Sequence, residues 1–90
     1  FFLSQNYPNP FNPSTTVEYG LSENAHVLLQ IFNVMGQLVY TFVEEQQAAG
    51  IYTVDWRGID AAGRSVPSGV YIVRLQAGSF SQARKLALVK

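Results

Sequence analysis

Apolar and polar residues alternate with a period of two along most of the chain. From Thr15 to Leu21, Val17, Tyr19 and Leu21 fall on one side and Thr16, Glu18 and Gly20 on the other, the mark of a strand with one buried face. Ser22-Glu23-Asn24 turns the chain, and His26 to Asn33 repeats the pattern with Val27, Leu29 and Ile31 aligned. Gly36 marks a second turn, before a third strand from Leu38 to Val43. A helix through residues 37–49 competes there, because Glu44 to Ala49 contains good helix formers. The β-branched and aromatic residues of its first half decide for strand, which leaves Glu44-Glu45 to a loop. Gly50 opens a fourth strand whose Tyr52, Val54 and Trp56 share a face. The longest irregular stretch follows, Arg57 to Ser68, with Asp60-Ala61-Ala62-Gly63 predicted as a turn closed by a glycine at positive φ. A fifth strand over Gly69 to Ala77 sets Tyr71, Val73 and Leu75 against Val70, Ile72 and Arg74. Gly78-Ser79 then makes a tight hairpin into a last strand, Phe80 to Val89. A short seventh strand is expected near Ser65-Val66. Strands of this length and spacing, with no helical pattern beside them, predict an all-β antiparallel sandwich or barrel.

The first stretch breaks the pattern. Phe1 to Ser14 holds three of the four prolines. Pro8, Pro10 and Pro13 each lack an N–H, so Tyr7 to Ser14 cannot be a central strand. The residues before proline are pushed toward extended conformations, and the asparagines close local turns. Residues 1–14 are therefore expected to be a stiff lead-in packed on a sandwich of residues 15–90, with Phe1, Phe2, Tyr7 and Phe11 on its edge.

Ninety residues make one domain with a thin core and no room for a deep substrate cavity. Six basic and six acidic residues cancel, and no basic stripe is present, which argues against nucleic acid. There is no cysteine, so disulfide and thiolate chemistry is excluded. No apolar run approaches the roughly 18–20 residues of a membrane-spanning helix. A start at Phe1, without an initiator Met or a signal-peptide layout, is expected of a piece cut from a longer protein.

Candidate chemistry is sparse. His26, the only histidine, opens a strand and reads as a surface residue. Ser65 and Ser68 lie in turn contexts rather than a nucleophile motif. Glu18 and Asp55 sit on the solvent faces of different strands, so a glycosidase pair has no cleft. Asp60 is a lone carboxylate in residues 57–68; it serves a turn, with calcium binding left open. Trp56 and the tyrosines suggest a sugar-stacking platform, but their alternation with polar neighbours suits a core better. The expectation is a non-catalytic module with no cofactor, no resident metal and no small-molecule substrate.

Gln5-Asn6-Tyr7-Pro8-Asn9-Pro10-Phe11-Asn12-Pro13-Ser14-Thr15-Thr16 resembles the opening signature of the type IX (Por) secretion system C-terminal sorting domain, type A. Further stretches follow the same family: Val27 to Val39 around Phe32-Asn33 and Gly36; Ala49-Gly50, Trp56, Gly58, Asp60 and Gly63; and Ser68-Gly69-Val70-Tyr71 through Arg84-Lys85-Leu86-Ala87-Leu88-Val89-Lys90. Arg57, Ile59 and Pro67 depart from its pattern, all in the irregular loop. The immunoglobulin-like cap domain of flagellar hook-assembly proteins shares the glycine-tyrosine strand pattern. It ranks second, because it usually lacks the proline-asparagine opening.

The sorting-domain resemblance implies an immunoglobulin-like β-sandwich of about seven strands at the end of an exported cargo protein of Bacteroidota or their relatives. It implies passage through the periplasm and an outer-membrane translocon. A surface sortase then removes the domain, and the cargo is anchored or released. The partners implied are that translocon, the sortase and the cargo in the same chain, and a weak homodimer stays open. Gly69, Tyr71, Arg84, Lys85, Leu86, Leu88, Val89 and Lys90 are the candidate recognition residues. Tyr7, Pro8, Asn9, Pro10, Phe11, Asn12, Pro13 and Trp56 carry the structural motif. A terminal edge strand offers backbone groups for strand addition. Against that stands the plainer reading that Leu86 and Leu88 fill the core, Tyr71 packs and Gly69 permits a turn.

Overall fold

A computed structural model describes residues 1–90 as seven strands and no helix. These are β1 (Phe2–Leu3), β2 (Thr15–Leu21), β3 (Ala25–Asn33), β4 (Leu38–Gln47), β5 (Gly50–Trp56), β6 (Gly69–Ala77) and β7 (Phe80–Leu88). They form an antiparallel sandwich of two sheets, β1-β2-β5 and β4-β3-β6-β7. The period-two alternation sets the arrangement. Val17, Tyr19 and Leu21 of β2, Val27, Leu29 and Ile31 of β3, and Tyr71, Val73 and Leu75 of β6 all turn inward and are buried. A register slip of one residue would put each set into water, so the pairings Val17↔Val54, Leu29↔Leu75 and Tyr71↔Leu86 are held by burial.

Aromatic rings join the layers at one end of the core. The Trp56 ring lies 5.7 Å from Phe11 and 5.2 Å from Tyr71, tilted against the first and edge-on to the second. Offset and edge-on contacts of this kind suit the ring quadrupoles. Burial takes Trp56 out of any sugar-stacking platform, because a ring 1% exposed cannot stack on a glycan. Its indole N–H donates to the Ile59 carbonyl at 2.9 Å and anchors the irregular loop. In that loop Gly63 has φ 81° and its N–H donates to the Asp60 carbonyl, the expected turn.

Several expectations need correction. Glu44 and Glu45 belong to β4 rather than to a loop, paired with Leu28 and Val27. The continuous ladder to β3 supplies their backbone bonds and overrides local helix preference. The seventh strand lies at Phe2–Leu3, not at Ser65-Val66. There Ser65 makes only an isolated bridge to Ile59, while Val66 drops into the core. The lead-in is not docked evenly along the edge. Phe11 is fully buried, whereas Tyr7 is 81% exposed and holds on by its backbone to Thr16.

Candidate functional site

The last strand and the lead-in form one structure. In β7 every second residue turns its backbone away from β6, and from the Lys85 carbonyl to the Val89 N–H those groups are taken by the lead-in. The Phe11 N–H donates to the Ala87 carbonyl at 2.9 Å, and the Val89 N–H donates to the Phe11 carbonyl at 3.0 Å. The Ala87 N–H donates to Asn9 Oδ1 at 2.9 Å, and Gln5 Nε2 donates to the Lys85 carbonyl at 2.6 Å. Farther along, Arg84 Nε donates to the Leu3 carbonyl at 2.9 Å, and Phe1 stacks on Phe80.

Proline explains why this strap is not a strand. Pro8, Pro10 and Pro13 prevent a regular ladder, so asparagine side chains substitute for backbone donors and acceptors. Asn6 is buried and fully used. Its Nδ2 donates to Thr15 Oγ1 at 3.0 Å and to the Pro8 carbonyl at 3.1 Å, and its Oδ1 accepts from Gln5. Thr15 Oγ1 donates to that same carbonyl at 2.7 Å. No buried polar side-chain atom is left without a partner.

The candidate recognition residues divide by this geometry. Leu86, Leu88 and Tyr71 are core. The Tyr71 hydroxyl donates to the Pro67 carbonyl at 2.6 Å, and burial pushes its pKa above the ordinary tyrosine value. Burial raises the Tyr19 pKa as well, partly offset by its hydrogen bond to Gln47. The Arg84 Nε–H is taken by the Leu3 carbonyl of β1. Gly69, Lys85, Val89 and Lys90 remain exposed. The Lys90 N–H donates to Ser68 Oγ at 3.0 Å and its Nζ reaches Ser65 Oγ. The last strand therefore offers side chains at its end, and its backbone edge is occupied from the Lys85 carbonyl to the Val89 N–H. The sequence pointed to a free terminal edge, and the structure closes most of it with the lead-in.

Elsewhere the surface holds little that is built for chemistry. Asp60 Oδ1 accepts the N–H groups of Ala62 and Arg64, each at 3.0 Å, as a turn-closing carboxylate does. No three His, Cys, Asp or Glu side chains gather as metal ligands. His26 is exposed. No helix is long and apolar enough to cross a membrane.

Among solved structures, the chain is similar to FlgD from P. aeruginosa, with TM-score 0.62 and 24% identity over 82% of this chain and 57% of that one. It is similar to PorZ, a surface component of the type IX secretion system of Porphyromonas gingivalis, with TM-score 0.65 and 25% identity over 99% of this chain and 11% of that one. It is also similar to dimeric latent PorU from Porphyromonas gingivalis, with TM-score 0.70 and 20% identity over 93% of this chain and 9% of that one. The chain thus spans just over half of the FlgD chain and about a tenth of the other two. No curated protein sequence matches it. The FlgD Ig-like domain model matches residues 11–80. That range takes in the glycine-tyrosine strand of Gly69 and Tyr71, which the flagellar cap domains share, but neither Tyr7-Pro8-Asn9-Pro10 nor most of β7. The type A sorting family, which rests partly on those outlying segments, is not the one matched. With most of the chain covered, this protein belongs to the FlgD Ig-like domain family.

Proposed function

We propose that this domain is a non-catalytic sorting module, carried by an exported protein and read by a type IX secretion translocon. The observation that carries the reading is the likeness to PorZ, which runs over 99% of the chain at 25% identity. It therefore includes the strap and the last strand, the parts outside the family match. The epitope in this reading is the end of β7, where Lys85, Val89 and Lys90 stand exposed on a strand fixed by the core. The cargo lies in the same chain, a surface sortase removes the domain after transit, and the route runs from periplasm to cell surface.

The test fuses residues 1–90 to a reporter exported to the periplasm of a type IX host. Surface or medium localisation is expected, with loss on deletion of the last residues and on the paired substitutions Lys85→Ala and Lys90→Ala. A reporter that stays periplasmic with the intact domain refutes the proposal. The FlgD family match over residues 11–80 favours a second reading, an Ig-like structural cap. That reading expects the intact domain to fold and the reporter to remain periplasmic in every variant.

A further inference from the structure

The sandwich has four strand edges, and three of them are blunted by identifiable devices. β7 is strapped by Gln5, Asn9 and Phe11. β1 is two residues long and faces β7 through the Arg84 clamp. In β4 the register skips Phe42 and Val39, which are bulged residues; the strand also carries Glu44 and Glu45, and its Val39 carbonyl is taken by the Ala61 N–H. Bulges, charges and covers are the usual defences of an exposed edge.

β5 has neither bulge nor cover, and its one charge is Asp55 near its end, whose Oδ1 accepts from Thr16 Oγ1 within the sheet. It pairs with β2 over seven residues without a break, Thr15↔Trp56 to Leu21↔Gly50. Which of its backbone groups are free follows from β2. Thr16 exchanges hydrogen bonds with Tyr7, and the Glu18 carbonyl accepts from Ser4, so these β2 residues turn their backbone toward the lead-in and away from β5. Val17, Tyr19 and their alternates then bond to Val54, Tyr52 and their alternates. Both backbone groups of Ile51, Thr53 and Asp55 consequently point outward, and none has a partner. The strand Ile51-Tyr52-Thr53-Val54 is β-prone and carries neither lysine nor proline.

We infer that the β5 edge pairs with the β5 edge of a second copy of this chain, antiparallel about a two-fold axis at Thr53. That register alone uses every outward group, setting Ile51 against the partner's Asp55 and Thr53 against the partner's Thr53. On the inner face it sets Tyr52, half-buried, against the partner's Val54, an aromatic and β-branched pair of the kind that stabilises sheets. The two Asp55 carboxylates stand four residues apart along the strands, about 13 Å, which is beyond the screening length at physiological salt. Seven residues a side fall well short of the roughly 20–30 of a standard interface, so the dimer is weak and concentration-dependent. This inference stands apart from the sorting role.

The test compares dilute protein with protein at about 1 mM, where a weak interface fills, by sedimentation and by amide hydrogen exchange. A dimer is expected, with exchange at Ile51, Thr53 and Asp55 slowed by roughly tenfold. Thr53→Pro removes only an outward N–H, which an edge strand tolerates, and should abolish the dimer. Thr53→Lys places like charges opposite one another across the axis while gaining Glu18 as a neighbour within the sheet, so it folds and should also be monomeric. Thr53→Val should still dimerise. A monomer at that concentration, a dimer that survives both disruptive variants, or protection at these amides seen only with a different protein's strand would each overturn it.

Discussion

Phe11 and Tyr7 stand four residues apart in the same proline-rich segment, and the structure assigns them opposite energetic roles. Phe11 is 2% exposed against Trp56, with its backbone bonded to Ala87 and Val89. Phe11→Ala removes a buried ring and leaves a hole that the strap and Trp56 fill only in part, a change of about 3–5 kcal/mol. A 90-residue domain has a total stability of roughly 5–13 kcal/mol, so the variant loses a large share of it. For a domain of this size that is a fall in Tm of about 12–40 °C. Taking a urea m-value of about 1–1.5 kcal/mol/M, the midpoint falls by about 2–5 M. Tyr7→Ala removes a ring 81% exposed and leaves the backbone bonds to Thr16 in place, so its change stays within about 0.5 kcal/mol. Phe11→Leu, which keeps part of the apolar volume, falls between them. Urea melts of the three variants by tryptophan fluorescence make the comparison, since Trp56 is the sole tryptophan. Equal effects at Phe11 and Tyr7, or a Phe11→Ala change under about 0.5 kcal/mol, would show that the lead-in does not dock as described.

Gly58 has φ 68° and a Cβ there would lie 3.0 Å from Leu88 Cδ2, while Gly63 has φ 81° with open space around it. Both alanine variants bear the left-handed strain of about 1–2 kcal/mol, and Gly58→Ala also presses on the last strand, so denaturant melts should rank it the more damaging; the reverse order contradicts the packing. The raised pKa values of Tyr19 and Tyr71 mean that the folded state holds both phenol protons more tightly than the unfolded chain does. Their contribution is complete below the ordinary tyrosine pKa of about 10 and is lost as pH rises through the folded values. Alkaline unfolding should therefore track tyrosinate absorbance, and replacing both residues with phenylalanine should move the transition to higher pH; an unmoved transition refutes the assignment.

The strands were legible because each buries a single face, so the period-two signal survives in β2, β3, β5 and β6 without interruption. β4 was read short because Glu44 to Gln47 owe their strand conformation to β3, a partner that local propensity cannot register. β1 was missed for a similar reason. Two residues carry no period, and Phe2-Leu3 is a strand only through its pairing with Gly20 and Tyr19. Within the candidate site, burial of Leu86 and Leu88 was readable as one of two options. The closure of the β7 edge was not, because it depends on Asn9 and Gln5 reaching residues close to eighty positions away. Side-chain bonds at that separation leave no pattern in the sequence. The ranking of families turned on the same segments: the proline-asparagine opening and the ending drove the resemblance to sorting domains, and the matched family range begins at Phe11 and stops at Phe80.

The coupling of the two chain ends also governs how the sorting proposal must be tested. Deleting the last residues removes more than an epitope: it takes away Leu86 and Leu88 from the core and Ala87 and Val89 from the bonds that hold Phe11. A deleted domain would then fail in export simply because it no longer folds, and the structural-cap reading would predict the same stability loss. Lys85 and Lys90 separate the two. Their side chains are exposed, and the Lys90 backbone bond to Ser68 survives truncation of its side chain. Replacing both with alanine should leave the urea midpoint within about 0.5 kcal/mol of the parent. If export falls while the midpoint holds, the charges are being read. If export is unchanged with both lysines gone and is lost only on deletion, the charged epitope at the end of β7 is refuted.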